Sequence, residues 1–194
     1  MKAVMSPVPP DLLAWRKKRG LDRWDEMWEG VLHMVAAPTS EHQDLEGAME
    51  TWLRIHWARP FGGRVYHQVN VAAPGGWPDS YRIPDLVLLT PERFHIDKSL
   101  YFEGAPEVVV EIRSPEDETY DKLPFYASLE VPEVWVVDRD TREPELYTLE
   151  GGYRRLNPDA EGWLVSRTGV GLRGEGGRLV MRLGEDEATR EALP

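Results

Sequence analysis

Two stretches of the chain place apolar residues at helical spacing between a polar start and a glycine or proline stop. The first begins at Pro9-Pro10 and stops near Gly20, which predicts a short helix. The second opens at Thr39, repeats apolar residues with a helical period, and reaches Pro60. The pattern therefore predicts a short N-terminal helix and a longer helix that ends at Pro60.

Other stretches have the alternating or continuous apolar pattern of strands. Residues 24–35 alternate around Glu29-Gly30, which predicts a small hairpin. Further strands are predicted over residues 64–72, 83–89, 108–112 and 134–137. The last three are almost wholly apolar, as in central strands that are covered on both faces.

A third helix is expected directly after the strand at residues 108–112. Ser114-Pro115-Glu116 has the residue types of a helix start, a capping serine followed by proline at the first position. We expect this helix to run to about Leu129, although Pro124 interrupts its middle.

The C-terminal part predicts short strands among glycines, and its last residues, 185–194, are expected to form a disordered acidic tail. The sequence has no repeat and no clear linker, so residues 1–184 are expected to form a single domain. We predict an α/β fold with a mixed central β-sheet flanked by helices. A small N-terminal helix and hairpin would precede this sheet, and a β-rich part would follow it.

The composition is that of a globular protein without thiol chemistry. Of the 194 residues, 41% are hydrophobic and none is cysteine, which excludes disulfides and thiolate metal ligands. No apolar run has the length of a membrane span, and prolines stand where a signal peptide would have its apolar core. We therefore expect a cytoplasmic protein. The scarcity of Asn and Gln and the excess of Arg over Lys are typical of a heat-stable (thermostable) one.

The net charge of −11 argues against a protein that coats DNA passively, because such proteins present a basic surface. It does not exclude a nuclease, whose carboxylates bind metal and whose phosphate contacts can be local.

Two acidic residues stand at the ends of predicted central strands. Asp85 follows Pro84, and Glu111 lies 26 residues further on within an apolar strand, where a carboxylate is costly unless it is paired or metal-bound. If the two strands are neighbours, Asp85 and Glu111 can share a hard cation such as Mg²⁺, which prefers oxygen ligands. The residues alone leave alternatives open, a turn role for Asp85 and a buried salt bridge for Glu111.

A metal-dependent phosphodiester hydrolase needs such a pair of carboxylates and also a cation that steadies the phosphate. Arg113 stands where a lysine would be expected, and the nearest lysine downstream is Lys122. On the predicted third helix, Glu118, Lys122 and Tyr126 would share one face, so Lys122 could reach Glu111. The alternative is an exposed ion pair between Glu118 and Lys122.

Six segments occur in an order that is specific to a known group of proteins. They are Glu29-Gly30, Ser40-Glu41-His42, Arg82-Ile83-Pro84-Asp85-Leu86-Val87, Val110-Glu111-Ile112-Arg113-Ser114-Pro115, Lys122-Leu123-Pro124-Phe125-Tyr126 and Val131-Pro132-Glu133-Val134-Trp135-Val136-Val137-Asp138. In these segments the chain resembles a large bacterial family of restriction-endonuclease-type proteins within the PD-(D/E)xK nuclease superfamily, and the resemblance covers residues 11–147.

The resemblance implies a restriction-endonuclease-like fold and a set of site residues. Asp85 and Glu111 would bind the metal, and the lysine of the motif would lie on the following helix, at Lys122. Glu29 would be an additional metal ligand or a structural acid. His42 matches the family's histidine near the start of the long helix and would be an accessory or capping residue.

The first functional hypothesis is a Mg²⁺-dependent endodeoxyribonuclease that also accepts Mn²⁺ and acts on DNA. Lys122 would position or help to deprotonate the attacking water, Arg113 would contact phosphate, and Gln68 is a further candidate. A homodimer is expected, because a two-fold pair suits the cutting of both strands.

Two alternatives remain open. One is a catalytically inactive, dimeric interaction protein with a nuclease fold, which the net charge and Arg113 favour. The other is a metal-dependent hydrolase of small phosphate esters, which would use the same carboxylates.

Overall fold

Short strands make up most of the fold, and a few helices lie between them. The computed structural model describes residues 3–115 and 117–194, so Glu116 of the predicted third helix lies outside the described residues. In chain order the strands are β1 (Ala3–Met5), β2 (Glu26–Trp28), β3 (Val31–Met34), β4 (Arg64–His67), β5 (Val71–Ala72), β6 (Tyr81–Arg82), β7 (Leu86–Leu89), β8 (Phe102–Glu103), β9 (Val108–Arg113), β10 (Glu133–Asp138), β11 (Pro144–Leu149), β12 (Tyr153–Arg155), β13 (Leu164–Val165), β14 (Val170–Glu175), β15 (Arg178–Leu183) and β16 (Asp186–Ala192). The helices are α1 (Pro10–Arg19), α2 (Ser40–Leu53), α3 (Arg59–Phe61) and α4 (Leu123–Ser128), with a π-helical segment at Arg54–Ala58 and 3₁₀ segments at Pro91–Ile96 and Tyr120–Lys122.

The central sheet has the strand order β12-β11-β10-β9-β7-β4. Strands β9 and β10 run parallel, whereas the other neighbours pair antiparallel. The predicted mixed central sheet is therefore confirmed. Val108, Val110 and Ile112 pack into one core and Val109 into another, because successive side chains of a strand alternate between its faces.

Both faces of the central sheet are covered, which explains why its inner strands are almost wholly apolar. Helix α2 and a C-terminal sheet, ordered β13-β14-β15-β16, cover one face through residues such as Leu45, Trp52 and Met181. The other face is covered by α4 and by Val71 and Phe102. These two residues belong to an N-terminal sheet with the order β1-β3-β2-β6-β5-β8.

The predicted N-terminal helix and hairpin are both present. Helix α1 ends at Gly20, whose φ of 65° is the left-handed conformation that commonly closes a helix. Strands β2 and β3 pair antiparallel on either side of Glu29 and Gly30. The predicted long helix begins as α2 and continues through the π-helical segment into α3, so it ends at Phe61, one residue after Pro60. No helix within residues 3–115 and 117–194 is long and apolar enough to cross a lipid bilayer.

The strand predicted over residues 64–72 is in fact two strands in different sheets. Strand β4 belongs to the central sheet and β5 to the N-terminal sheet. Between them, Gln68 has a φ of 47°, a left-handed conformation that an extended strand cannot contain. This corner separates β4 from β5 and leaves Gln68 beside α2.

The helix predicted over residues 114–129 is much shorter than expected. Asp117 accepts hydrogen bonds from the backbone N–H groups of Ser114 and Thr119, and residues 117–119 do not form the helical turn that was predicted there. Pro124 lies in the first turn of α4, where its missing N–H costs no helical hydrogen bond. The proline therefore begins the helix instead of interrupting it.

The β-rich C-terminal part is present and continues through the segment for which disorder was predicted. Strand β16 pairs antiparallel with β15, and Leu193 after it is 2% exposed and part of the core. Nε1 of Trp52 in α2 also donates a 2.9 Å hydrogen bond to the carbonyl of Thr189. The prediction of a disordered tail is therefore wrong for this segment, since strand pairing and a buried leucine anchor it.

Candidate active site

Asp85 and Glu111 lie side by side at one end of the central sheet. Strands β7 and β9 pair Leu86 with Val110, and the same register continued by one residue sets Asp85 opposite Glu111. Oδ2 of Asp85 accepts a 2.6 Å hydrogen bond from the backbone N–H of Ile112. Glu111 is buried, with 4% of its surface exposed. The two acids that the sequence singled out are therefore neighbours in the fold.

Lys122 reaches this pair from the 3₁₀ segment that precedes α4. Its Nζ lies 3.1 Å from Oε2 of Glu111 and 2.9 Å from Oε1 of Glu26. One helical turn later, the hydroxyl of Tyr126 donates a 2.6 Å hydrogen bond to Oε1 of Glu111. The face that Lys122 and Tyr126 share is thus turned toward Glu111.

A second cluster adjoins Asp85 from α2. Nε2 of His42 lies 3.2 Å from Oδ1 of Asp85, and Nε2 of Gln68 donates to Oε2 of Glu46 at 3.0 Å. His42, Glu46 and Asp85 offer ligand atoms that all lie within 4.8 Å of one another. Among the described residues, Nδ1 of His42 and Oε1 of Glu46 have no hydrogen-bond partner. Because buried polar atoms are normally satisfied, these two fit a site that takes a cation.

A cavity of about 410 Å³ opens in front of these clusters, a size typical of small-ligand sites. Its lining includes Glu26, His42, Gln68, Asp85, Glu111 and Lys122. Trp24 and Arg139 also line it. The guanidinium of Arg139 is paired with Asp140 at 2.8 Å and lies 3.5 Å from Oγ of Ser114.

Acidic groups outnumber basic ones around the cavity in the described part of the chain, and this imbalance shifts several pKa values. Burial and the charge of Asp85 raise the pKa of Glu46 to about 7. Burial, opposed by the ammonium of Lys122, raises the pKa of Glu111 to about 8. Burial lowers the pKa of Lys122 and of His42, but neighbouring carboxylates, Glu111 foremost for Lys122 and Asp85 for His42, raise both above their ordinary values. The site therefore holds Lys122 as a cation and still lacks positive charge, which a divalent cation would supply.

Arg113 and Glu29 are not brought to the cavity, and neither belongs to its described lining. The parallel register of β9 and β10 sets Arg113 beside Asp138, and the two side chains form an ion pair. Glu29 lies at the hairpin turn with its side chain 69% exposed, and it accepts a 2.9 Å hydrogen bond from Oγ of Ser80. This placement corrects the expectation that Arg113 contacts phosphate at the site and that Glu29 is a metal ligand there.

Reasoning from the sequence missed Glu26 and Glu46. Glu26 is 2% exposed and accepts hydrogen bonds from Nε1 of Trp28 and from the backbone N–H of Ile83. In the sequence Glu26 directly follows Asp25 at the start of its strand, so no local pattern distinguished it from an ordinary surface acid. Glu46 follows His42 by four residues on a helix and so shares its face, a spacing that could have identified it.

Comparisons with known proteins bear on the same part of the chain. A family profile, Uma2, described as "Putative restriction endonuclease", matches residues 9–173. A solved structure, titled as a putative nuclease belonging to DUF820 from Anabaena variabilis ATCC 29413, has a TM-score of 0.57 and 16% sequence identity. The alignment covers 70% of this chain and 78% of that chain. No curated protein matches the chain. At 16% identity, the structural likeness supports the nuclease-like fold alone.

Proposed function

We propose that this chain, which belongs to the Uma2 family described as putative restriction endonucleases, is a metal-dependent endonuclease that hydrolyses DNA phosphodiester bonds with Mg²⁺ or Mn²⁺. The observation that carries the proposal is the position of Lys122. Its ammonium lies 3.1 Å from Glu111, which stands opposite Asp85, and all three residues line one cavity.

Asp85 and Glu111 are proposed to hold the cation, with His42 and Glu46 as the nearest further ligands. Carboxylate oxygens are the donors that Mg²⁺ prefers, and the unsatisfied atoms of His42 and Glu46 face the same cluster. When bound, a divalent cation supplies polarisation of a phosphoryl oxygen and a lowered pKa of bound water. The backbone N–H of Ile112 keeps Asp85 oriented toward Glu111.

Lys122 is proposed to orient the substrate as a cation and not to act as a base. Neighbouring carboxylates raise its pKa, so its ammonium remains protonated and can donate a hydrogen bond to a phosphate oxygen or to the attacking water. Glu26 and Tyr126 are positioning residues. Glu26 fixes the Nζ of Lys122 from the hairpin side, and Tyr126 fixes the Glu111 carboxylate from α4.

Arg139 is the proposed phosphate contact in place of Arg113. It lines the cavity, whereas Arg113 is committed to Asp138. A guanidinium presents a planar fork of donors that suits phosphate oxygens. The side chain of Asp140, its ion-pair partner, is 51% exposed, so a phosphate oxygen can replace this partner without leaving a buried charge unpaired.

The test is cleavage of supercoiled plasmid with Mg²⁺ or Mn²⁺, run beside RNA and nucleotide substrates. Asp85→Asn, Glu111→Gln and Lys122→Met should each lower the cleavage rate by about 10²-fold or more, since each removes several kcal/mol of charge stabilisation. Glu92→Gln, a change at an exposed carboxylate, is the matched control and should cleave at the wild-type rate. Cleavage that survives both Asp85→Asn and Glu111→Gln would refute the assignment, and turnover of nucleotides alone would redirect it to small phosphate esters.

We extend the proposal to a homodimer, because two copies related by a two-fold axis can cut both strands of a duplex. Light scattering on the active protein checks this, and a monomer that cleaves both strands would contradict it.

A further inference from the structure

The charge of the chain is unevenly distributed, and its one strongly basic stretch lies at the N-terminal helix. Residues 10–24 contain five basic and two acidic residues, a net charge of +3. The remaining residues contain 18 basic and 32 acidic ones, a net charge of −14. A basic segment on an otherwise acidic protein attracts a polyanion locally.

The side chains of α1 are available to a partner. None of its residues is buried, and its last turn carries Lys17, Lys18 and Arg19. Within residues 3–115 and 117–194, Lys17 and Lys18 have no ion-pair partner, and the guanidinium of Arg19 lies over the ring of Trp15 at 5.5 Å. Trp15 is 47% exposed, although tryptophan side chains are highly buried on average.

The helix is held next to the candidate active site. Arg16 donates to both carboxylate oxygens of Asp25, the residue directly before Glu26, which binds Lys122. Nε1 of Trp24 donates a 3.1 Å hydrogen bond to Gln68, and Trp24 lines the cavity. Helix α1 is therefore attached, through Arg16 and Asp25, to the segment that carries Trp24 and Glu26 at the cavity.

We propose that α1, together with Arg23 and Trp24, is the surface that binds the sugar–phosphate backbone of a nucleic acid whose reacting phosphate enters the cavity. The inference rests on the proposed nuclease function and adds the substrate-binding surface to it. Lys17, Lys18 and Arg19 contact phosphates, and Trp15 offers a ring on which an unpaired base stacks. Arg23, whose guanidinium lies 5.1 Å from the ring of Trp24, connects these contacts to the cavity.

A nucleic acid fits this surface better than a membrane does. The polar face of α1 is strongly basic, but its apolar side chains are few and the helix has only 10 residues. Interfacial helices depend on a large continuous apolar face, which α1 does not have. The phosphodiester site beside it also requires a phosphate backbone at this position.

The test measures binding without cleavage, by fluorescence anisotropy in EDTA over a range of salt concentrations. The probes are a labelled single strand of about 20 nucleotides, roughly the span of one or two ssDNA-binding modules, and the matching duplex. The variant Lys17→Gln/Lys18→Gln/Arg19→Gln should bind at least about tenfold more weakly. On duplex DNA, the slope of log K against log salt should become shallower by about 0.9 for each phosphate that the variant no longer neutralises. The control Arg59→Gln/Arg154→Gln/Arg155→Gln removes the same charge from exposed positions elsewhere and should bind within about twofold of wild type.

Equally weakened binding in the two triple variants would overturn the proposal, because it would show dependence on net charge alone. Absence of DNA binding by the wild type, or weaker binding of the α1 variant to anionic phosphatidylserine vesicles but not to DNA, would overturn it as well. Circular dichroism checks that α1 remains folded in each variant. If the α1 variant loses DNA binding but wild type cleaves no DNA, this surface stands and the nuclease assignment fails. If wild type cleaves DNA and the α1 variant binds DNA normally, the nuclease assignment stands and the α1 binding surface fails.

Discussion

Glu111 of β9 and Glu133 of β10 are buried carboxylates on neighbouring parallel strands, and their surroundings are opposite in kind. Glu133, 1% exposed, accepts hydrogen bonds from Nε1 of Trp135, Oγ of Ser166 and the backbone N–H of Arg167. These donors close around it and join the central sheet to the C-terminal sheet.

Glu111 is placed differently. It faces Lys122 and Tyr126 at the opposite end of the strand pair, where Asp85 and further acids border an open cavity. Burial is therefore common to the two carboxylates and does not distinguish a site from a structural network. What distinguishes them is the balance of charge, since Glu133 is satisfied by neutral donors that belong to the fold, while Glu111 stands in a surplus of acids.

The largest expected difference between the Glu133 and Glu111 ends of the strand pair is in how much a Glu→Gln substitution changes the free energy of unfolding. Glu133→Gln replaces an acceptor with an amide that must point its NH₂ group at existing donors, so we expect it to lower the free energy of unfolding by about 2–3 kcal/mol. Glu111→Gln in EDTA leaves Lys122 paired with Glu26 and should change the free energy of unfolding by less than about 1 kcal/mol. Urea denaturation at about pH 5 measures both, because the raised pKa of Glu111, about 8, keeps its side chain protonated there in the folded protein. A larger loss for Glu111→Gln than for Glu133→Gln would make Glu111 a structural residue and remove the contrast.

A smaller contrast is expected in the pH dependence of stability. The pKa of Glu46 is raised to about 7 in the folded protein from an ordinary value of 4.5, and that of Glu111 to about 8. In the unfolded chain these groups lose their protons first, so their contribution is fully present below pH 4.5 and is lost as the pH rises through 7 and 8. We therefore expect the metal-free protein to lose stability between about pH 5 and pH 8.

Glu46→Gln should recover part of this loss, on the order of 1–2 kcal/mol at about pH 8 because the adjoining cavity admits water, and should have little effect at about pH 5. Thermal melts in EDTA across this pH range measure it. Glu133→Gln is the control, since it should lower stability by a similar amount at both pH values. A Glu46→Gln curve parallel to that of wild type would show that the acid surplus has no energetic consequence.

Much of the fold was predictable because its signals are local. Strands β7, β9 and β10 are recognisable as apolar runs because the sheet that contains them is covered on both faces. Helix α2 is recognisable from the helical spacing of its apolar residues, which pack into the core on one of these faces. The corner at Gln68 was not predictable, since a glutamine shows no preference for a positive φ and the alternating pattern continues on both sides of it. Strand β16 was missed for a different reason. It is an exposed edge strand with several acidic residues, and only Leu193 after it enters the core.

The candidate site was predictable where chemistry is unusual for its position. Asp85 and Glu111 are acids at the ends of apolar strands, and Lys122 could be placed by its helical relation to Tyr126. Arg113 was misplaced because alternation gives the face of a side chain but not its cross-strand partner. Its partner, Asp138, is set by the parallel register of two strands that are distant in sequence.

The central claim is that the acids around Asp85 and Glu111 bind a divalent cation, and calorimetric titration of Mn²⁺ into metal-free protein near neutral pH tests it most directly. The account predicts saturable binding by wild type and by Glu133→Gln, and affinity at least about tenfold weaker in Asp85→Asn. It also predicts proton release on binding, visible as a dependence of the heat on the buffer, because Glu46 and Glu111 hold protons near this pH. No binding by wild type, or equal affinity in Asp85→Asn, would contradict it.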